Sequence, residues 1–143
     1  MKKSLFLFLA FCLGFSAIAQ KKYQTQFESS GGKETPTYHD VIGYFQILAD
    51  DFKEVRIVEM GMTDVGLPLH VVLFDRKGAF DPKEWHDTNR LVLFINNAIH
   101  PGEPDGIDAS MLFLRDILLR KIEVPENLAM AIIPVYNIGG HLN

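Results

Sequence analysis

The sequence predicts an α/β fold, and its second half carries the strongest indication of that class. Apolar runs at 91–95 and 128–133 are typical of buried strands, because each is short and continuous. A segment of helical character over about 107–121 separates them, with acidic residues near its start and basic residues near its end. A strand, a helix of this length and a second strand make a βαβ unit, which implies parallel pairing through a right-handed crossover.

A further helix and a hairpin are predicted before this unit. Thr37 is a candidate N-cap, and apolar residues recur after it at helical spacing over about 38–52. Segments 55–62 and 67–74 are predicted to be strands, and the short stretch between them suits a hairpin turn. These elements add an antiparallel pair to the parallel one.

Three segments are predicted to be irregular. Residues 20–36 are polar, with serine and glycine together, and are expected to form a flexible mature N-terminus. The polar stretch 77–90 contains Gly78 and Pro82 and is predicted to be a surface loop. The glycine-rich end at 139–143 has the composition of a turn.

The first 19 residues have the pattern of an export signal. Lys2 and Lys3 precede an apolar stretch from Leu5 to Phe15, and residues 17–19 supply the small residues of a cleavage site. The stretch is shorter than the roughly 20 apolar residues that span a bilayer. Cleavage after Ala19 and export to the periplasm or the exterior are therefore expected, with no stable membrane association afterwards.

Composition narrows the possible functions of the mature chain. The single cysteine, Cys12, lies inside the predicted signal, which leaves no disulfide or thiol chemistry. Without Lys2 and Lys3 the chain has 12 basic and 18 acidic side chains, a net charge of −6 with histidine neutral. A nucleic-acid partner would need a basic face, so none is expected. The hydrophobic content of 48% indicates a folded domain, of about 120 residues.

The most informative motif follows the predicted strand at 91–95. His100 and Glu103 lie three residues apart, before the next predicted helix. An imidazole nitrogen and a carboxylate oxygen both suit Zn²⁺, and a bent backbone lets two nearby side chains converge on one ion. Open α/β sheets place their sites at the carboxyl ends of strands. The pair is therefore predicted to be two metal ligands, although so short a motif also matches surface turns by chance.

The other ionisable residues are weaker candidates. Among the remaining histidines, three are expected to be solvated or packed within other elements: His39, His70 and His86. His141 follows two glycines and could reach the strand ends, so it is the one further ligand worth testing. Asp105 and Asp108 are expected to cap the helix that follows the motif.

From about Thr37 to its end the chain resembles the zinc carboxypeptidases, the metallocarboxypeptidases of the carboxypeptidase A type, and most closely their secreted bacterial members. The specific part of the resemblance is the segment from Leu93 to Glu103, with its His-x-x-Glu motif. The resemblance implies a mixed sheet with helices on both faces, residues 37–143 being the N-terminal part of the domain. It also implies a Zn²⁺ at the strand ends, with His100 and Glu103 as ligands.

The same resemblance implies hydrolysis of the C-terminal bond of a peptide or small amide through a zinc-bound water. In the family, a third histidine ligand, a glutamate base and an arginine clamp for the substrate carboxylate come later in the chain. This sequence is therefore expected to be a truncated, inactive portion. Many members have arginine immediately before the motif's glutamate, and here Gly102 takes that place, so substrate preference does not carry over.

Two alternatives remain open from the sequence. A zinc-dependent deacylase of N-acyl amino acids would use a similar His-x-x-Glu turn, and sequence downstream would distinguish it. A non-catalytic secreted binding module would keep the pair as a relic, and a zinc titration would separate it from the enzymes.

Overall fold

The computed structural model describes residues 21–142, so the predicted export signal and its cleavage site lie outside the described residues. The helices are α1 (Gln26–Ser29), α2 (Tyr38–Asp51), α3 (Pro82–Asp87), α4 (Asp105–Leu118) and α5 (Ile138–His141). The strands are β1 (Val55–Met62), β2 (Pro68–Asp75), β3 (Leu91–Asn96) and β4 (Leu128–Ile133). No helix within residues 21–142 is long and apolar enough to cross a membrane.

The strands form one mixed sheet, which confirms the predicted α/β fold. Their order is β1-β2-β4-β3, with β1 antiparallel to β2 and β2 antiparallel to β4. β3 and β4 pair in parallel, with Leu91 opposite Leu128 and Asn96 opposite Ile133. Because α4 connects these two neighbours, the predicted βαβ unit is present, and the carboxyl end of β3 lies directly before the turn that leads into α4.

The core lies where α2 and α4 pack with the sheet. In α2 the residues at helical spacing Val41, Phe45 and Leu48 are fully buried. The other fully buried side chains come mainly from α4 and the two middle strands: Val72, Phe74, Ile107, Met111, Leu114, Ile117, Met130 and Ile132. Each large apolar side chain buried in this way contributes about 1.5–3 kcal/mol. This packing fixes α4, and with it the turn that precedes α4.

The predicted loop at 77–90 is only partly a loop, because it contains α3. The side chain of Asp81 accepts a hydrogen bond from the backbone N–H of Lys83 at 2.9 Å, which caps the helix. Pro82 favours a loop in the sequence, but proline is also compatible with the first position of a helix, where its missing N–H has no partner to lose. Trp85 is buried and donates to the backbone oxygen of Ala79 at 2.6 Å.

The segment 20–36 is predicted to be flexible, but its part between Tyr23 and Ser30 packs against the rest of the chain. Tyr23 and Thr25 are buried, and the hydroxyl of Tyr44 donates to the backbone oxygen of Tyr23 at 2.9 Å. Arg115 of α4 donates to the same oxygen at 3.3 Å and forms an ion pair with Glu28. Composition did not reveal this packing because the partner side chains come from distant parts of the chain.

The two edge strands of the described sheet differ in character. β1 carries Arg56 and Glu59, and its pairing is interrupted by a bulge near Gly61, whose φ is 130°. The apolar run of β3 predicts a buried strand, and that prediction is wrong, because β3 pairs with β4 alone within the described sheet. β3 is uncharged, and four consecutive apolar side chains are 39–60% exposed: Leu91, Val92, Leu93 and Phe94. Charges and bulges protect an edge strand from pairing with another chain, so β1 is protected and β3 is not.

Candidate metal site

The candidate site begins where the chain leaves β3. Asn97 continues the parallel pairing, because its backbone N–H donates to the oxygen of Ile133 at 3.1 Å. Its own backbone oxygen accepts from the N–H of Tyr136 at 2.9 Å. The next residue, Ala98, is left-handed with φ at 50°, an uncommon conformation for a residue with a Cβ. The chain therefore turns sharply off the sheet at this point.

This turn brings His100 and Glu103 together. The ring Nδ1 of His100 lies 3.2 Å from the carboxylate Oε2 of Glu103. The backbone N–H of Glu103 also donates to the oxygen of His100 at 3.1 Å, which closes the turn. The two side chains are 74% and 73% exposed, so both are accessible to an ion or a ligand.

The pair lines an open cleft of about 450 Å³ at the carboxyl end of β3. Its walls are the end of β3, the turn and the start of α4: Asn96–His100, Glu103, Asp105 and Gly106. This is the position at which open α/β sheets place their sites.

The donor set suits part of a zinc site. An imidazole nitrogen and a carboxylate oxygen 3.2 Å apart could contact one ion, and both are ordinary zinc ligands. Within residues 21–142 no group of three or more His, Cys, Asp or Glu side chains could hold a metal. A catalytic zinc usually takes three protein ligands. Of those three ligands, His100 and Glu103 could supply two.

The other histidines lie outside the cleft. His141, the further candidate ligand, lies at the end of α5, and its Nε2 is 3.2 Å from the backbone oxygen of Pro36. The ring of His70 contacts the hydroxyl of Tyr38 at 3.1 Å, and burial lowers the pKa of His70. The side chain of His86 is exposed on α3.

Asp105 and Asp108 do not cap α4 with their side chains. The N-cap residue is Pro104, and both carboxylates lie in the first turn, where the helix dipole favours negative charge. Asp108 is buried and accepts a hydrogen bond from the hydroxyl of Thr35 at 2.9 Å. Burial raises the pKa of Asp108 despite that bond.

A buried contact behind the turn was not predicted from the sequence. The side-chain amide of Asn97 is buried and donates to the hydroxyl oxygen of Ser110 on α4 at 2.9 Å. A Cβ on Gly106 would lie 2.8 Å from Oδ1 of Asn97, so glycine leaves the room that the amide occupies. In the sequence, Asn96 and Asn97 indicate only the end of a strand. The sequence indication of the contact with Ser110 was the polar residue Asn97, so close to a strand end.

Comparison with solved structures places the chain in one fold class, the carboxypeptidase-like fold. The carboxypeptidase A of Helicoverpa armigera matches with a TM-score of 0.65 and 21% identity, over 76% of this chain and 26% of that chain. The thrombin-activatable fibrinolysis inhibitor matches with a TM-score of 0.58 and 14% identity, over 76% of this chain and 27% of that chain. At these identities the likeness is one of fold.

The bovine thrombin-activatable fibrinolysis inhibitor, in complex with tick carboxypeptidase inhibitor, also matches. Its TM-score is 0.55 and its identity 14%, over 76% of this chain and 33% of that chain. The chain thus spans about a quarter to a third of the length of these structures. No family model matches the sequence, and no curated protein matches it.

Proposed function

We propose that this chain carries the first two ligands of the zinc centre of a secreted metallocarboxypeptidase. The single observation behind the proposal is the pairing of His100 Nδ1 with Glu103 Oε2 at 3.2 Å, in a cleft at the end of β3. The α/β sheet supports the same interpretation, because open α/β sheets place their sites at the carboxyl ends of strands, where this pair lies.

In this proposal the reaction is hydrolysis of the C-terminal bond of a peptide or a small amide. Zinc, when bound, polarises a substrate carbonyl and makes water acidic near neutral pH. His100 and Glu103 would hold the ion, and the cleft beside them would admit the substrate carbonyl. The proposed reaction also needs a third ligand, a proton acceptor and a group that binds the substrate carboxylate. In this proposal a longer protein supplies these three groups.

The test is a zinc titration of the purified chain by isothermal calorimetry. We expect one zinc per chain, and no measurable binding in His100→Ala or Glu103→Ala, because each variant leaves a single donor. Glu84→Ala and His86→Ala are matched controls, since both residues are exposed on α3 and lie outside the cleft. Absence of binding to the parent chain, or binding that the His100 and Glu103 variants leave unchanged, would sink the proposal and favour a binding module.

We also propose that the chain is exported and cleaved after Ala19. The charged start, the apolar stretch and the small residues at 17–19 support this. Expression in a bacterial host, followed by N-terminal sequencing of the exported product, should give Gln20 as the first residue. A product that retains Met1 and remains with the membrane fraction would contradict it.

A further inference from the structure

We infer that Asn97 is a positioning residue, which holds the turn that presents His100 and Glu103. The expected effect on metal binding rests on the proposed function. The contact between Asn97 and Ser110 does not, because it is a property of the fold. The side chain of Asn97 bonds to Ser110 and to neither ligand, so its effect passes through the backbone of residues 97–100.

Asn97 is the residue at which three parts of the molecule meet. Its backbone N–H and oxygen bond to Ile133 and Tyr136, which fixes the turn to the end of β4. Its side-chain amide bonds to Ser110, which fixes the same turn to α4 at 2.9 Å. The backbone bonds therefore hold Asn97 against the end of β4, and the side-chain bond holds it against α4.

The backbone after Asn97 is held in the same way up to the ligand pair. The oxygen of Ala98 accepts from the N–H of Asn137 at 3.0 Å, and that of Ile99 from the side-chain amide of Asn137 at 3.4 Å. A Cβ on Gly140 would lie 2.7 Å from Cγ of Pro101, so α5 packs closely on the turn. His100 is therefore carried on a segment anchored on both sides.

The polar character of Asn97 points to a role beyond packing. The residue is 5% exposed, in a position where an apolar side chain would avoid the cost of burying an amide. A neutral amide ties the turn to α4 and leaves both ligands free of a competing charge. Side chains that hydrogen-bond to metal ligands commonly change metal affinity by about 10- to 100-fold when they are removed. Asn97 acts through the backbone, so its effect is expected at the lower end of that range.

The experiment is a double-variant cycle with two readouts, zinc affinity by calorimetry and unfolding in urea. Asn97→Ala and Ser110→Ala should each weaken zinc binding by about tenfold and lower stability. The combined variant Asn97→Ala/Ser110→Ala should recover part of the stability, because no buried amide is then left without its partner. Its zinc affinity should stay low, since the tie between turn and α4 is still missing.

Thr35→Ala is the matched control. It removes another side-chain hydrogen bond onto α4, from Thr35 to Asp108, at a place outside the turn. It should lower stability and leave zinc affinity at the parent value. Zinc affinity that follows stability through the whole series, or an Asn97→Ala variant that binds like the parent, would overturn the inference.

A structural readout separates this inference from the proposed function. If the parent chain binds no zinc, the proposed function fails, and NMR contacts between the His100 ring and the Glu103 side chain decide the inference. Loss of those contacts in Asn97→Ala and in the combined variant, but not in Thr35→Ala, supports a positioning role. Contacts that persist in every variant overturn it.

Discussion

The Asn97 amide occupies the space that a Cβ on residue 106 would need, so one added atom there would change the geometry of the candidate site. A helix normally gains from alanine in place of glycine, because alanine loses less conformational entropy on folding. Gly106 lies in the first turn of α4 beside the Asn97 amide, whereas Gly43 lies on the exposed face of α2, where an added Cβ would meet nothing within 4 Å. The two glycines have the same secondary structure and different surroundings.

This contrast predicts opposite results for one substitution. Gly43→Ala should raise the free energy of unfolding by about 0.5–1 kcal/mol. Gly106→Ala should give no gain, because its Cβ would meet Oδ1 of Asn97 at 2.8 Å and displace the amide from Ser110. Urea denaturation of both variants measures the difference. Equal stabilisation of the two variants would contradict the proposed crowding around Asn97.

At the residue scale, the contact between His100 and Glu103 follows from their local spacing, whereas their role as metal ligands stays a prediction. His100 and Glu103 are three residues apart, so one turn of the backbone brings them to 3.2 Å. Ser110 is 13 residues from Asn97, and the contact between them exists only because α4 folds back on the strand end. Spacing in sequence carries no information about such a contact, which explains why it was missed.

At the scale of elements, the ion pair between α1 and α4 ties the N-terminal segment to the core. Burial by itself raises the pKa of Glu28, but hydrogen bonds from Arg115 and Thr25 outweigh it and lower that pKa below its ordinary value. A lowered pKa in the folded state stabilises the protein above the unfolded pKa, which is about 4.3 for glutamate. The stabilisation is lost as the pH falls through the folded value.

Glu28→Gln should therefore destabilise the chain by about 1 kcal/mol at pH 7, and by less in acid. Urea unfolding between pH 7 and pH 3 measures the difference between variant and parent, which should shrink as Glu28 becomes protonated in the parent. Glu34→Gln is the control, because Glu34 is exposed and its carboxylate accepts a hydrogen bond from the side chain of Gln26 rather than from a cation. A difference that stays constant with pH would argue against the ion pair.

Most helices and strands were predictable from the sequence. The helices that were missed have only weak sequence patterns of their own. The hydrophobic spacing of α2 and the apolar runs of β3 and β4 predicted those elements to within a residue or two. α3 was missed because Pro82 and the polar composition around it favour a loop. α1 and α5 were missed because a helix of one turn is too short to produce a hydrophobic period.

At the scale of the whole molecule, the free edge of β3 is the surface that most affects behaviour in solution. The backbone N–H groups of Leu91 and Asn97 point toward the β4 side, where they bond to Asn127 and Ile133. By the two-residue period of a strand, the backbone groups of Val92 and Phe94 point away from it. Within residues 21–142 no strand pairs with that side.

The purified chain should consequently self-associate as its concentration rises. Val92→Lys and Phe94→Lys should reduce the association, because a charge at an exposed edge opposes pairing with another chain. Met60→Lys on β1 is the control, since Met60 is 64% exposed on the protected edge. Light scattering coupled to size-exclusion chromatography measures the effect. A parent chain that stays monomeric, or a Met60 variant with the same effect, would contradict this prediction.

The sequence by itself determined the α/β class, the βαβ unit and the His100–Glu103 pair, because each depends on periodicity or on residues a few positions apart. The tertiary structure alone decided the order β1-β2-β4-β3, the anchoring of the turn through Asn97 and Ser110, and the ion pair between Glu28 and Arg115. Those features join residues far apart in the chain, and only the folded packing of α4 against the sheet and the N-terminal segment brings them into contact.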